Sequence, residues 1–131
     1  MDTWPAVLVV DDFRTMTEII ARLLKEIGVT EVDTVQDAEA ALQRLRSKRY
    51  GLVLSDWEMQ PMSGPELIAT MRHDPMLSNI PVILVTAKSD RDSSWLSGGD
   101  GYIVKPFTRD ALQEKMKEVL SQHHAKAAAA S

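Results

Sequence analysis

The sequence predicts an α/β domain: a doubly wound, five-stranded parallel sheet with helices on both faces. Three observations predict it. Short apolar runs recur along the chain, segments of helical periodicity separate them, and four of the runs end on a polar residue. A strand buried on both faces reads as a continuous apolar run, and such strands belong to parallel sheets covered by helices.

The elements follow in order. Residues 6–10 are continuously apolar and rich in valine, as a central strand requires. Met16, Ile19, Ile20, Leu23, Leu24 and Ile27 then recur at helical spacing, and Gly28 can end that helix. Glu31 to Val35 forms a second, weaker strand. Asp37 caps a helix that turns Ala38, Ala41, Leu42 and Leu45 inward. The third strand is 52–55. Ser63-Gly64-Pro65-Glu66 is a capping box with proline in the first turn, and it opens a helix bearing Leu67, Ile68 and Met71. Strands four and five are 82–85 and 102–104. A last helix from about Thr108 presents Leu112, Met116, Val119 and Leu120.

Composition narrows the class of function. A chain of 131 residues argues for one domain. We divide it into an N-terminal extension (1–5), the domain proper (6–122) and a C-terminal tail (123–131). The net charge of -4, with no dense Lys/Arg stripe, gives no reason to expect nucleic acid. The absence of cysteine excludes disulfide and thiolate chemistry. No apolar stretch approaches the ~20 residues needed to span a bilayer. The N-terminus lacks a signal peptide's basic and apolar regions. A soluble, cytoplasmic, monomeric protein is expected. The seven methionines read mostly as core packing, and His73, His123 and His124 as surface residues.

The run ends carry the chemistry. Asp11 and Asp12 close the first run, Asp56 the third, Thr86 the fourth and Lys105 the fifth. Ligands of open α/β sheets bind outside the carboxyl ends of the strands. If the runs are parallel neighbours, that edge gathers three carboxylates, an ammonium and a hydroxyl. This group suits a hard divalent cation and a phosphoryl group better than it suits a core.

Four motifs in order, Val9-Val10-Asp11-Asp12-Phe13, Ser55-Asp56-Trp57-Glu58-Met59, Val85-Thr86-Ala87 and Gly101-Tyr102-Ile103-Val104-Lys105-Pro106-Phe107-Thr108, resemble the receiver domains of two-component response regulators. Their wording is nearest to the chemotaxis members. The resemblance runs from about Ala6 to Leu120. It implies the flavodoxin-like, CheY-like (βα)5 fold with strand order 2-1-3-4-5, an order for which CheY is a standard example. It implies that Asp56 accepts a phosphoryl group from a histidine kinase. Asp12, Asp56 and the Glu58 backbone carbonyl would bind Mg²⁺, with Asp11 acting through a bound water and Mn²⁺ able to substitute. Lys105, whose bond to Pro106 the family holds cis, and Thr86 would contact the phosphoryl oxygens. Tyr102 would act with Thr86 as a rotamer switch. The protein would catalyse its own phosphorylation and dephosphorylation without being a conventional enzyme.

Three departures from the family stand out. Pro61 comes one position later in the loop after Asp56, which alters the loop path but not the ligand types. Glu58 and Lys88, in positions that tune phosphoryl lifetime, carry unusual charges and could pair across the site mouth. The segment from Lys88 to Gly101 is short and rich in Ser, Asp and Gly, residues that favour caps and turns. A short or disordered fourth helix is expected there, with Trp95 and Leu96 as its apolar anchors.

The leading expectation is a stand-alone signalling protein of chemotaxis. It would bind a downstream protein through the face around the fourth helix, fifth strand and last helix. A phosphate sink or phosphorelay intermediate is the alternative. A metal-dependent phosphohydrolase would use the same ion and nucleophile, but a single compact domain offers no cap or substrate pocket.

Overall fold

The structure, a computed structural model, describes residues 4–87 and 99–130, with side chains described through residue 124. The expected fourth helix, and with it Lys88, Trp95 and Leu96, lies outside the described residues.

Five parallel strands form one sheet in the order β2-β1-β3-β4-β5. They are β1 (Val7–Val10), β2 (Val32–Val35), β3 (Leu52–Asp56), β4 (Val82–Thr86) and β5 (Gly101–Val104). Four helices are described: α1 (Arg14–Ile27), α2 (Ala38–Ser47), α3 (Gly64–Arg72) and α4 (Arg109–Ala130). This is the fold class and strand order expected. The register pairs Val10 with Val35 and Ser55, and Asp56 with Val85, so the carboxyl ends of neighbouring strands lie level.

Every side chain of β1 is buried, as its uninterrupted apolar run requires. Alternate residues serve two cores. Leu8, Val10, Val53, Val82 and Leu84 pack under α2 and α3 with Leu42, Leu67 and Ile68. Val7, Val9, Leu54, Ile83 and Ile103 pack under α1 and α4 with Ile20, Leu24, Leu112 and Met116. Burial on this scale is the main stabilising term, at roughly 25 cal/mol per Å² of apolar surface.

The helix ends follow the local chemistry. Asp37 Oδ1 accepts from the Ala40 N–H at 2.7 Å. The capping box closes both ways: the Glu66 N–H donates to Ser63 Oγ at 3.2 Å, and the Ser63 N–H to Glu66 Oε1 at 3.0 Å. Gly28 ends α1 at φ 119°, a left-handed conformation that glycine adopts without a Cβ penalty. The alanines of the tail continue α4 to Ala130, in keeping with alanine's high helix propensity. The Gln60–Pro61 and Lys105–Pro106 bonds are cis.

Candidate functional site: an acidic cluster at the carboxyl edge of the sheet

The topology brings the predicted residues to one edge. Asp11 and Asp12 follow β1, Asp56 is the last residue of β3, Thr86 the last of β4, and Lys105 follows β5. Strand pairing continues into these ends: the Asp11 N–H donates to Val35 O at 3.2 Å, Trp57 N–H to Val85 O at 2.9 Å, and Lys105 N–H to Thr86 O at 2.7 Å. The backbone therefore fixes where each side chain starts.

Asp11, Asp12 and Asp56 each offer a carboxylate oxygen, and these oxygens lie within 4.8 Å of one another. Asp11 is 2% exposed. Its Oδ1 accepts from the Phe13 N–H at 2.9 Å, while its buried Oδ2 has no hydrogen-bond partner. Lys105 Nζ stands 3.7 Å from that Oδ2, an ion pair too long for a hydrogen bond, and 3.2 Å from Asp56 Oδ1. Burial pushes the Asp11 carboxyl above its ordinary range, against the Phe13 N–H and the Lys105 charge. Burial and then the neighbouring Asp11 charge push Asp56 up as well, with Lys105 opposing. The arrangement holds more negative charge than its one ammonium neutralises. An orphaned buried oxygen and crowded carboxylates fit a divalent cation with oxygen ligands.

Thr86 is buried at the end of β4. Tyr102, half-buried, packs against the α2/α3 core, and its register partner is Leu84, two residues before Thr86 and therefore on the same face of the strand. Glu58 is exposed two residues after Asp56. The expected Glu58–Lys88 pair lies outside the described residues.

Sequence reading missed two supports of Asp56. Ser55 Oγ donates to the Asp56 backbone carbonyl at 3.0 Å. Gly64 sits so close that a Cβ there would stand 2.4 Å from the same carbonyl oxygen, and its N–H donates to Trp57 O at 2.9 Å. The available signal was a glycine in the first turn of a helix, where intrinsic propensity argues against it.

With this geometry established, comparisons with known proteins agree. The family model of the response regulator receiver domain matches residues 7–117. The chain belongs to that family. It is 38% identical over 119 residues to the chemotaxis protein CheY of Pseudomonas aeruginosa, covering 88% of this chain and 96% of that protein. Among solved structures, the response regulator TrrA of Thermotoga maritima, in complex with Mg²⁺ and BeF, is 38% identical with a TM-score of 0.77, covering 87% of this chain and 97% of that one. The receiver domain of a signal transduction histidine kinase from Syntrophus aciditrophicus is 32% identical with a TM-score of 0.79, covering 90% and 91%. No described helix is long and apolar enough to cross a membrane.

Proposed function

We propose that this is a cytoplasmic signalling protein that takes a phosphoryl group onto Asp56 from a histidine kinase and acts by phosphorylation-dependent protein binding in chemotaxis. The observation that carries the reading is the Asp56 carboxylate, 3.2 Å from Lys105 and beside two further carboxylates, one with an orphaned buried oxygen.

An Asp56 oxygen attacks phosphorus as the P–N bond of the phosphohistidine breaks, and the imidazole leaves with the bond's electrons. Lys105 stabilises negative charge on the phosphoryl oxygens, and Thr86 can donate a hydrogen bond to one of them. Asp12, Asp56 and the Glu58 carbonyl would hold Mg²⁺ or Mn²⁺, with Asp11 acting through a bound water. The ion supplies the charge neutralisation that lets two anions meet. The complex of TrrA with Mg²⁺ and BeF supports this assignment.

Output would run through Tyr102. Thr86 and Tyr102 lie on one sheet face at neighbouring positions of β4 and β5, so a shift of Thr86 toward the phosphoryl group opens room for the tyrosine ring. The charge event at Asp56 thereby reaches the surface formed by β5 and α4. Glu58 and Lys88 would tune the lifetime of the phosphoryl group. The chemotaxis role rests on the CheY relative. A phosphorelay or sink role is the second reading, favoured by likeness to a receiver domain that belongs to a histidine kinase.

The test is Trp57 fluorescence with Mg²⁺ and acetyl phosphate, in wild type and Asp56→Asn, with Trp4 and Trp95 replaced by Phe. The response should vanish in Asp56→Asn; a response that persists removes Asp56 as the acceptor. Capture of a flagellar-motor component by the beryllofluoride-treated protein alone separates motor output from relay.

A further inference from the structure

A cavity of about 860 Å³ opens at the amino-terminal edge of the sheet, the end away from Asp56. Its floor is made by the entries to β1, β3 and β4. Pro5 lies directly on Gly51, where a Cβ would stand 2.4 Å from the proline Cβ, and the Gly51 N–H donates to Ala6 O at 3.0 Å. Trp4 rests near the end of α1, with Cδ1 and Nε1 3.8 Å from where a Cβ on Gly28 would be. The facing wall is the middle of α4, with Leu120, Ser121, His123 and His124.

The family model stops at residues 7 and 117. Trp4, Pro5 and the α4 residues beyond Lys117 lie outside that span, and with the strand entries they line a concave site. Small-molecule sites commonly measure about 300–1,000 Å³ and combine apolar walls with a few polar groups. Here Trp4, Pro5, Ile80, Pro81 and Leu120 supply flat apolar surface. Lys117, His123 and His124 supply an ammonium and two imidazoles, Asn79 and Ser121 supply neutral donors, and among the described residues that line the cleft there is no carboxylate. In a chain of net charge -4, an ammonium and two imidazoles gathered at one cleft favour a negative head group.

We propose that this cleft binds a small organic anion with a flat apolar body, such as an aromatic carboxylate, sulfonate or phosphate. The body lies between Trp4 and Leu120, and the anionic group meets Lys117 and His123. The site is separate from Asp56 and does not depend on the phosphoryl chemistry.

The full chain can be titrated with 8-anilinonaphthalene-1-sulfonate, and with N-phenyl-1-naphthylamine as the same body without charge. The sulfonate should bind saturably, with amide shifts centred on Tyr50, Gly51, Ile80 and Ser121. The double variant Lys117→Glu/His123→Gln should weaken the sulfonate about tenfold or more, the scale of one lost charge-assisted contact, and leave the neutral probe unchanged. Ser121→Trp, at an exposed helix position, should fill the cleft and abolish binding of both. Shifts absent or centred elsewhere in wild type, which need no variant, would overturn the site. Equal weakening of both probes by the double variant, or sulfonate binding indifferent to it, would overturn the anionic class of ligand.

Discussion

Gly64 presses against Asp56: a Cβ on the glycine would stand 2.4 Å from the aspartate's carbonyl oxygen, 2.8 Å from Leu84 Cδ2 and 3.2 Å from Trp57 Cα. Two of these three neighbours are backbone atoms at the strand end that carries Asp56, so they cannot yield by a rotamer change. Gly64→Ala must push α3 and the end of β3 apart. We expect a stability loss of about 1–3 kcal/mol, typical of overpacking. We also expect slower phosphorylation from a small donor, on the order of tenfold or more, because a displacement near 1 Å is that costly to a positioned nucleophile. Urea unfolding and phosphorylation kinetics check the two parts separately.

Lys105 is the one ammonium within 4 Å of both Asp11 and Asp56 among the described residues. Lys105→Met keeps the aliphatic stem and removes the charge. The buried carboxylates then repel without compensation, and phosphoryl transfer loses its cation. Stability without Mg²⁺ should fall, and the phosphorylation rate should drop about a hundredfold, as for loss of one preorganised donor to a developing anion. A rate within a factor of about two of wild type would place the lysine outside the chemistry.

Adding or removing a divalent ion should change stability through the same cluster. Wild type should melt higher in Mg²⁺ than in EDTA, and at tenfold excess over Kd the gain is about 1.4 kcal/mol. Asp12→Ala and Asp56→Asn should each lose most of that gain. Asp11 and Asp56, destabilising when ionised and empty, should make the EDTA form more stable in Asp56→Asn than in wild type, because burial raises their folded values and stability falls as they ionise. Calorimetry of the three proteins with and without Mg²⁺ decides this.

Asp33 provides a pH signature away from the site. Its Oδ2 accepts from Lys48 Nζ at 2.8 Å and from the Tyr50 hydroxyl. The Lys48 bond first, and Tyr50 next, hold the carboxyl below its ordinary value of 3.8. With the folded value below the unfolded one, the interaction contributes stability above that pH and loses it as pH falls through the folded value. Asp33→Asn should therefore destabilise at neutral pH, by under about 1 kcal/mol for so accessible a pair. The difference from wild type should disappear in acid, as urea midpoints measured across the acid range would show.

The parts legible in the sequence are those written in local pattern. Val7 to Val10 is apolar at every position, so burial on both faces follows from the run itself. Asp11, Asp12, Asp56 and Lys105 end such runs, and parallel order alone brings them together. What could not be read depends on distance across the fold. Gly64 looks like any glycine in a cap until Asp56 O is seen beside it. Arg72 looks like a helix-end cation, yet it bonds Asp100 Oδ2 at 3.0 Å and the Ile80 carbonyl at 2.8 Å, tying α3 to the entry of β5. Trp4 and His123, remote in sequence and without local pattern, meet at one cleft.

Tyr102 is held by a contact of the same long-range kind. Lys115 Nζ, on α4, stands 6.0 Å from the centroid of its ring and is itself steered by Glu118 Oε2 at 2.8 Å. Gly101 lets the two elements meet, since a Cβ there would lie 2.9 Å from Val119 Cγ2. A cation over a ring at a partly exposed site is worth about 0.5–1 kcal/mol. That is enough to bias a two-position side chain severalfold. Lys115→Ala removes the bias toward the position seen here, so the other ring position should gain about two- to fivefold in population without any phosphoryl group. Fluorotyrosine NMR reads this directly, with buried Tyr50 as the internal reference. Beryllofluoride should then shift the Tyr102 signal by a smaller remaining fraction in the variant. An unchanged resting signal would mean that Lys115 does not hold the ring.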